Sequence, residues 1–252
     1  YVCHPSMANN ELSGPCVTTY ISRWLARLQN RRYSYRVVFI PETIGSIAYC
    51  SLHLNELRER VKAGFILTCL GDDRTYSYLE SRGGDTLSDQ AACHALHHIF
   101  PDFKRYRYLH RGSDERQYCS PGVDLPVASI MRSKYGTYPE YHTSLDNLEL
   151  ITPKGLEGGY RAVRSAIQAI EMNCFPSATI RCEPQLGKRG LYPTLSTKTS
   201  GAEVRRMMDL LAYSDGRHSL LDIADKIGVP IWELRPICDR LQTHELLRVE
   251  DY

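Results

Sequence analysis

Four short segments carry side chains able to bind a cation or move a proton. The first, CHPSMANNELSGP (3–15), puts His4 at the end of an apolar stretch and follows it with Asn10, Glu11 and a Ser-Gly at a helix start. Imidazole nitrogen and carboxylate oxygen are ligand types of hydrolytic zinc, which keeps one position open for water. An ordinary strand-to-helix loop capped by Asn9 or Asn10 accounts for the same residues. The second segment, FIPETIGS (39–46), sets Glu42 at the mouth of a strand. A carboxylate there either ligates a metal or takes the proton of an attacking water; the alternative is a merely solvated side chain. The third, LTCLGDDR (67–74), offers Asp72 and Asp73 in the turn after an apolar strand. Paired carboxylates suit a hard or borderline cation, although Gly and Asp are also ordinary turn residues. The fourth runs from 111 to 148 and is the most specific: Asp114 comes before a Gly-x-x-x-Pro turn and a buried strand, then His142-Thr143 and Asp146 follow.

These residues need elements to position them. Val17, Tyr20, Ile21, Trp24, Leu25 and Leu28 recur at helical spacing after Gly14-Pro15, which predicts an amphipathic helix over 17–28. YRVVFI (35–40), AGFILTCL (63–70), YRYLH (106–110) and LPVASIM (125–131) read as strands, and Leu87–Ile99 and Leu156–Met172 as helices. Alternation of this kind predicts an α/β domain whose central sheet is covered on both faces, with chemistry collected past the carboxyl ends of the strands. His94, His97 and His98 share a face of the Leu87–Ile99 helix, a pattern that a solvated or partly packed helix explains. From about 176 to 200 the composition turns to Pro, Gly, Ser and Thr, as in a linker or extended arm. Helical patterns over Glu203–Tyr213, Leu220–Ile227 and Ile231–Thr243, then a terminal strand in ELLRVED, resemble a winged helix-turn-helix. The expected domains are therefore 1–175, a connecting arm at 176–200, and 201–252.

Bulk properties exclude several classes. With 252 residues and 42% hydrophobic content the chain can bury one substantial core and a small second domain. The 31 Lys+Arg against 29 Asp+Glu leave a charge of +2, too small to imply nucleic acid or an anionic membrane as partner. Within 201–252, seven basic residues face ten acidic ones, so the helix-turn-helix lacks the basic face that phosphate neutralisation needs, and intramolecular packing or a protein partner is expected instead. No apolar run approaches a membrane span, and the chain opens without a leader pattern. Nine scattered cysteines with no C-x-x-C pair suggest neither a disulfide framework nor a thiolate zinc site, and fit a reducing cytoplasm. YVCHPS reads as a strand end running into a motif, which suggests a piece of a longer protein.

In their order, the strand-end His4, the Asn-Glu before Ser13-Gly14, Glu42 before Gly45-Ser46, Ser113-Asp114 with its Gly/Pro turn and His142-Thr143-x-x-Asp146 resemble the zinc aminopeptidase superfamily of the bacterial aminopeptidase and glutaminyl cyclase kind. The likeness covers roughly 1–172 and extends to a bacterial aminopeptidase-like branch ending in a winged helix. It implies a mixed central sheet flanked by helices, a C-terminal winged helix-turn-helix, one or two zinc ions, and a small peptide or amide as substrate. It also implies His4 and His142 as metal ligands, Glu42 as what remains of a glutamate pair, and Asp114 as the pocket aspartate.

Three positions depart from that pattern. Asn10 stands where the family has its bridging aspartate, with Glu11 beside it; Pro41 replaces the first glutamate; and Thr68 occupies the strand-end aspartate place, for which Asp72 or Asp73 compensates only if the loop folds back. A carboxamide oxygen is a weak zinc ligand, so Glu11 would have to reach the metal. The expected set is thus His4, Glu11, Asn10, Asp73 and His142 for metal, with Glu42 and Asp114 catalytic. The leading expectation is a metal-dependent peptide or amide hydrolase. The alternatives are a catalytically degenerate fold serving as a binding or regulatory module, and an amidase or deacetylase acting on a small amide or modified sugar. Homo-oligomerisation is left open.

Overall fold

The computed structural model describes residues 1–191 and 198–250; the part of the expected arm at 192–197 and the last two residues lie outside that range. The chain divides into two compact units, Tyr1–Ile167 and Gln168–Tyr252.

The first unit opens with a π-helical turn, Ala8–Leu12, running into α1 (Ser13–Arg27). Then come α2 (Ile44–Arg60), β1 (Gly64–Leu67), β2 (Ser77–Leu79), α3 (Leu87–Ile99) and β3 (Lys104–Tyr106). A short α4 (Glu115–Tyr118), β4 (Val127–Met131) and α5 (Pro153–Met172) complete it, α5 running on past the end of the unit. The sheet is mixed, in the order β1-β4-β2-β3: β1 is parallel to β4, β4 antiparallel to β2, and β2 parallel to β3. Central β4 is buried along its whole length, which is why VASIM carries no polar alternation. Val17, Ile21 and Leu25 of α1 pack with Ala92 and Leu96 of α3, Ala128 and Ile130 of β4, and Val163 of α5 in one core.

The Ser-Gly of the first motif has a steric task. A Cβ on Gly14 would lie 2.2 Å from the Leu67 carbonyl oxygen, so only glycine lets the start of α1 press against the end of β1. There the Leu70 amide donates to Ser13 Oγ at 2.8 Å and the Gly71 amide to Asn9 Oδ1 at 2.8 Å, pinning the π-turn to the loop after β1.

Several expectations need correction. YRVVFI forms no strand: beside it Val2 and Pro41 make one isolated bridge, while Val37 and Phe39 are 41% and 53% exposed. Its β-branched and aromatic residues favour extension, and among the described residues no full strand lies alongside. In YRYLH the strand stops at Tyr106, and Tyr108–His110 is a 3₁₀ turn. Helix α2 was not legible, because its buried positions are Ser46, Cys50 and Leu57 whereas Ile44, Ile47 and Leu52 face solvent.

The second unit holds β5 (Phe175–Ala178), α6 (Lys198–Tyr213), α7 (Leu220–Ile227), α8 (Ile231–Thr243) and β6 (Leu247–Glu250). The three helices pack on one another, and β5 pairs antiparallel with β6. The first residues assigned to an arm by composition are therefore a strand; its Pro176 sits in a two-stranded sheet, where a missing amide donor is tolerated at an edge. Ser219 and Asp222 form a capping box at the start of α7, and Gly228 ends it in the left-handed conformation. Among the described residues no helix is long and apolar enough to cross a membrane.

Candidate functional site

The π-turn buries Glu11 completely, and the local chain supplies what that carboxylate needs. The Cys3 amide donates to Glu11 Oε2 at 2.6 Å and Asn10 Nδ2 to Oε1 at 2.9 Å. A dry carboxylate without such partners would be costly. His4 Nδ1 lies 3.6 Å from the same Oε1, and it is a buried nitrogen with no hydrogen-bond partner. An orphaned imidazole nitrogen beside a buried carboxylate is the arrangement a cation completes. One donor atom each from Cys3, His4 and Glu11 fall within 4.8 Å of one another, so these residues fit a single ion.

Asp146, the last residue of the His-Thr motif, anchors the π-turn. It accepts from the Asn9 amide at 2.6 Å, the Asn10 amide at 3.1 Å and the Tyr138 hydroxyl at 3.2 Å. This places the loop carrying His142 against the first motif. The His142 ring lies 4.3 Å from that of His4, centroid to centroid, and stacks on Tyr141 at 3.9 Å. Arg74 holds the same loop from outside, donating to both Glu140 oxygens at 2.9 and 2.7 Å.

Glu42 and Asp114 come from two further segments. The Glu42 amide donates to the Val2 carbonyl at 3.3 Å, which brings the residue beside the first motif. Asp114 Oδ1 accepts from the Thr43 amide and from Ser46 Oγ, both at 2.8 Å. Burial raises the Asp114 pKa above the usual carboxylate value; those two hydrogen bonds oppose the shift and the Glu42 charge adds to it. Burial, then Glu42, likewise raises the Cys3 thiol, with smaller contributions from Glu11 and Asp114. The Tyr141 phenol is pushed up to about 12, chiefly by burial. His4, Glu11, Glu42, Asp114 and His142 thus come from four stretches of chain. Thr43, Cys69 and His142 all have φ between 49° and 63°, left-handed backbone in non-glycine residues, a form of strain that concentrates where function over-determines the conformation.

Two expected ligands do not join them. Asn10 turns its carboxamide inward: Nδ2 goes to Glu11, and Oδ1 accepts from Cys69 Sγ at 3.6 Å, so it holds the Glu11 carboxylate and spends its own oxygen inside the protein. Asp73 is exposed in the turn after β1 and lies outside the donor trio. Its neighbour Asp72 is fully engaged, accepting from Asn9 Nδ2 at 3.1 Å, the Ser133 amide at 3.0 Å and Ser133 Oγ at 2.7 Å. Thr68 is likewise occupied, donating to the Asn10 carbonyl at 2.7 Å and bonding the Tyr1 hydroxyl at 2.9 Å. The loop after β1 is tied to Asn9, but it brings neither Asp72 nor Asp73 into the donor trio. In α3, His94 is buried against His98, and His97 is exposed. Cys3, whose thiol type and place next to His4 are visible in the sequence, was not among the expected site residues, and neither was Asp146.

Residues 1–173 match the family model described as a domain of unknown function (DUF4910), and residues 175–249 match a winged helix-turn-helix model. A Clostridium acetobutylicum protein called "Putative polysaccharide biosynthesis protein with aminopeptidase-like domain" is 40% identical over 251 residues, which are 99% of this chain and 57% of that protein. A crystal structure described as a putative peptidase from the same organism superposes with a TM-score of 0.88 at 39% identity, over 98% of this chain and 55% of that one. The chain thus spans little more than half the length of either relative. BSAP, a zinc aminopeptidase from Bacillus subtilis, matches with a TM-score of 0.56 at 19% identity, over 64% of this chain and 41% of that one, which is a likeness of fold. With its mixed sheet, flanking helices and winged helix, the chain belongs to the DUF4910 family, an aminopeptidase-like domain of the zinc aminopeptidase fold followed by a winged helix-turn-helix.

Proposed function

We propose that this chain belongs to a metal-dependent hydrolase of peptide or amide bonds, with a single zinc ion at the first motif. The observation that carries the reading is the buried Glu11 carboxylate beside the orphaned His4 Nδ1. His4 and Glu11 hold the ion, and His142 stands beside His4. When bound, zinc supplies Lewis-acid polarisation of the scissile carbonyl and acidifies water. Glu42 accepts the proton of the attacking water and passes it to the leaving amine. Asp114 receives the ammonium of a substrate with a free amino terminus. The Cys3 amide and Asn10 Nδ2 keep Glu11 oriented. One ion is favoured over two because Asn10, Thr68 and Asp72 spend their polar atoms inside the protein and Asp73 is exposed outside the donor trio.

The same internal bonding of Asn10 and Thr68 also favours a second reading, a binding module on a degenerate site. A third, an amidase or deacetylase on a modified sugar, draws support from the polysaccharide biosynthesis in the relative's name. The winged helix is read as a protein-docking or packing module: on α8, Arg235 pairs with Asp239 at 2.8 Å and Arg240 with Glu203 at 2.8 Å, which leaves those cations committed. A reducing cytoplasm is the proposed location, on nine cysteines scattered through the chain with no C-x-x-C pair. Elemental analysis of the purified protein, with hydrolysis assays on aminoacyl arylamides and N-acetylated amino sugars, tests the proposal. One zinc per chain and release of arylamine are expected. Fully folded protein that takes up no zinc would overturn it.

A further inference from the structure

We infer that Cys3 is a third metal ligand, making the site a mixed sulfur, nitrogen and oxygen centre that selects a thiophilic cation. The inference rests on the reading of His4 and Glu11 as metal-binding and adds the donor that sets which metal they hold. All three donors come from one short loop, and that loop is closed by its own hydrogen bonds. The Cys3 amide reaches Glu11 Oε2 at 2.6 Å, the Met7 amide reaches the His4 carbonyl at 2.9 Å, and the Leu12 amide reaches the Met7 carbonyl at 3.1 Å. The backbone thereby sets Cys3 and His4 on the Glu11 side of the π-turn, which Asp146 anchors from a distant stretch of chain. The three donor atoms already lie within 4.8 Å of one another. Ligands at tetrahedral zinc distances sit roughly 3.3–3.8 Å apart, so closing on one ion requires a shift of about 1 Å. Cys3 is exposed and supplies that shift by side-chain rotation, whereas Glu11 is fixed.

Three protein donors leave the fourth tetrahedral position open, the arrangement of a catalytic zinc site. Thiolate sulfur moves the preference from magnesium, calcium and manganese toward zinc, cobalt and cadmium.

Cobalt(II) titration of the metal-free full chain tests this, because a sulfur ligand adds a near-ultraviolet charge-transfer band to the visible bands of the ion. Cys16 and Cys182 are the other exposed thiols among the described residues, so the titration is made on a Cys16→Ser/Cys182→Ser background. The charge-transfer band is expected there and should vanish with Cys3→Ser. Cadmium affinity should fall by at least the roughly 10–100-fold that outer partners of a ligand are worth. Visible cobalt bands without the charge-transfer band, with cadmium affinity unchanged in Cys3→Ser, would overturn the thiolate and leave His4 and Glu11 as ligands. Folded protein that binds no cobalt would overturn both. If Cys3→Ser fails to fold, presence or absence of the band in the background protein decides the question.

Discussion

The two units bury different chemistry. Tyr1–Ile167 encloses Asn9, Asn10, Glu11, Asp72, Asp114 and Glu115 among its buried polar side chains, whereas in Gln168–Tyr252 those described are Asn173, Ser214 and Ser219. The second interior is instead Leu210, Leu220, Ile223, Ile231, Leu234 and Leu241. Desolvated carboxylates oppose folding unless each is bonded, and the first unit commits Asn9, Asn10 and main-chain amides to that task. An apolar interior has no such requirement. The contrast separates a unit organised to hold charge in place from one organised to pack.

The largest expected effects divide along that line. Glu42→Gln should lower kcat by about 10²–10⁴ with the melting temperature unchanged. Leu234→Ala should destabilise the second unit by about 2–5 kcal/mol while zinc uptake by the first persists. Chemical denaturation followed by circular dichroism, run beside metal titration, reads both. Loss of metal binding in Leu234→Ala before the first unit unfolds would break the comparison.

A smaller effect concerns Asp114, whose folded pKa is raised by burial. A carboxyl raised in the fold favours its neutral form there. Its contribution is present below the unfolded pKa and lost as pH rises through the folded one, so ionised Asp114 costs stability at neutral pH. Both hydrogen bonds arrive at Oδ1, which asparagine retains. Asp114→Asn should therefore melt higher than the parent at pH 7 and equal to it near pH 3, while losing preference for substrates with a free amino terminus. Equal melting at both pH values would place the cost of this site elsewhere.

The smallest effect lies on the surface of the same unit. Arg74 holds the Glu140 carboxyl down from 4.5 to about 2, largest by its hydrogen bonds. A depressed acid contributes stability above its unfolded pKa and loses it as pH falls through the folded value. Arg74→Ala should cost under about 1 kcal/mol at pH 7, because the pair is partly solvated, and nothing below pH 2. Urea melts across pH 2–7 measure the difference, and a pH-independent deficit would show that Arg74 acts through packing.

Local order was well legible in the second unit. Ser219 with Asp222, the stop at Gly228 and the regular apolar spacing through 231–243 mark α7 and α8 without reference to anything distant. In the first unit the legible parts were α1, α3, α5 and the apolar β1 and β4. Helix α2 escaped because polar Ser46 faces inward to bond Asp114, and apolar Ile44 and Leu52 face out. Three-residue β2 is too short to show a period.

At the site, the donor types and their order are legible in one dimension: a histidine and a glutamate in one loop, a glutamate after an apolar run, an aspartate before α4 and a histidine after β4. Periodicity and motif spacing are properties of neighbouring residues, so they survive in one dimension. Which donors meet is set by contacts between stretches distant in the chain. Asn10 turned toward Glu11 and Cys69, Asp73 went to solvent, and Cys3 came within 4.8 Å of His4 and Glu11. Those outcomes depend on Asp146, Ser13 and the Gly14 contact with Leu67, which join stretches far apart in the chain, and on the need of every buried polar atom for a partner.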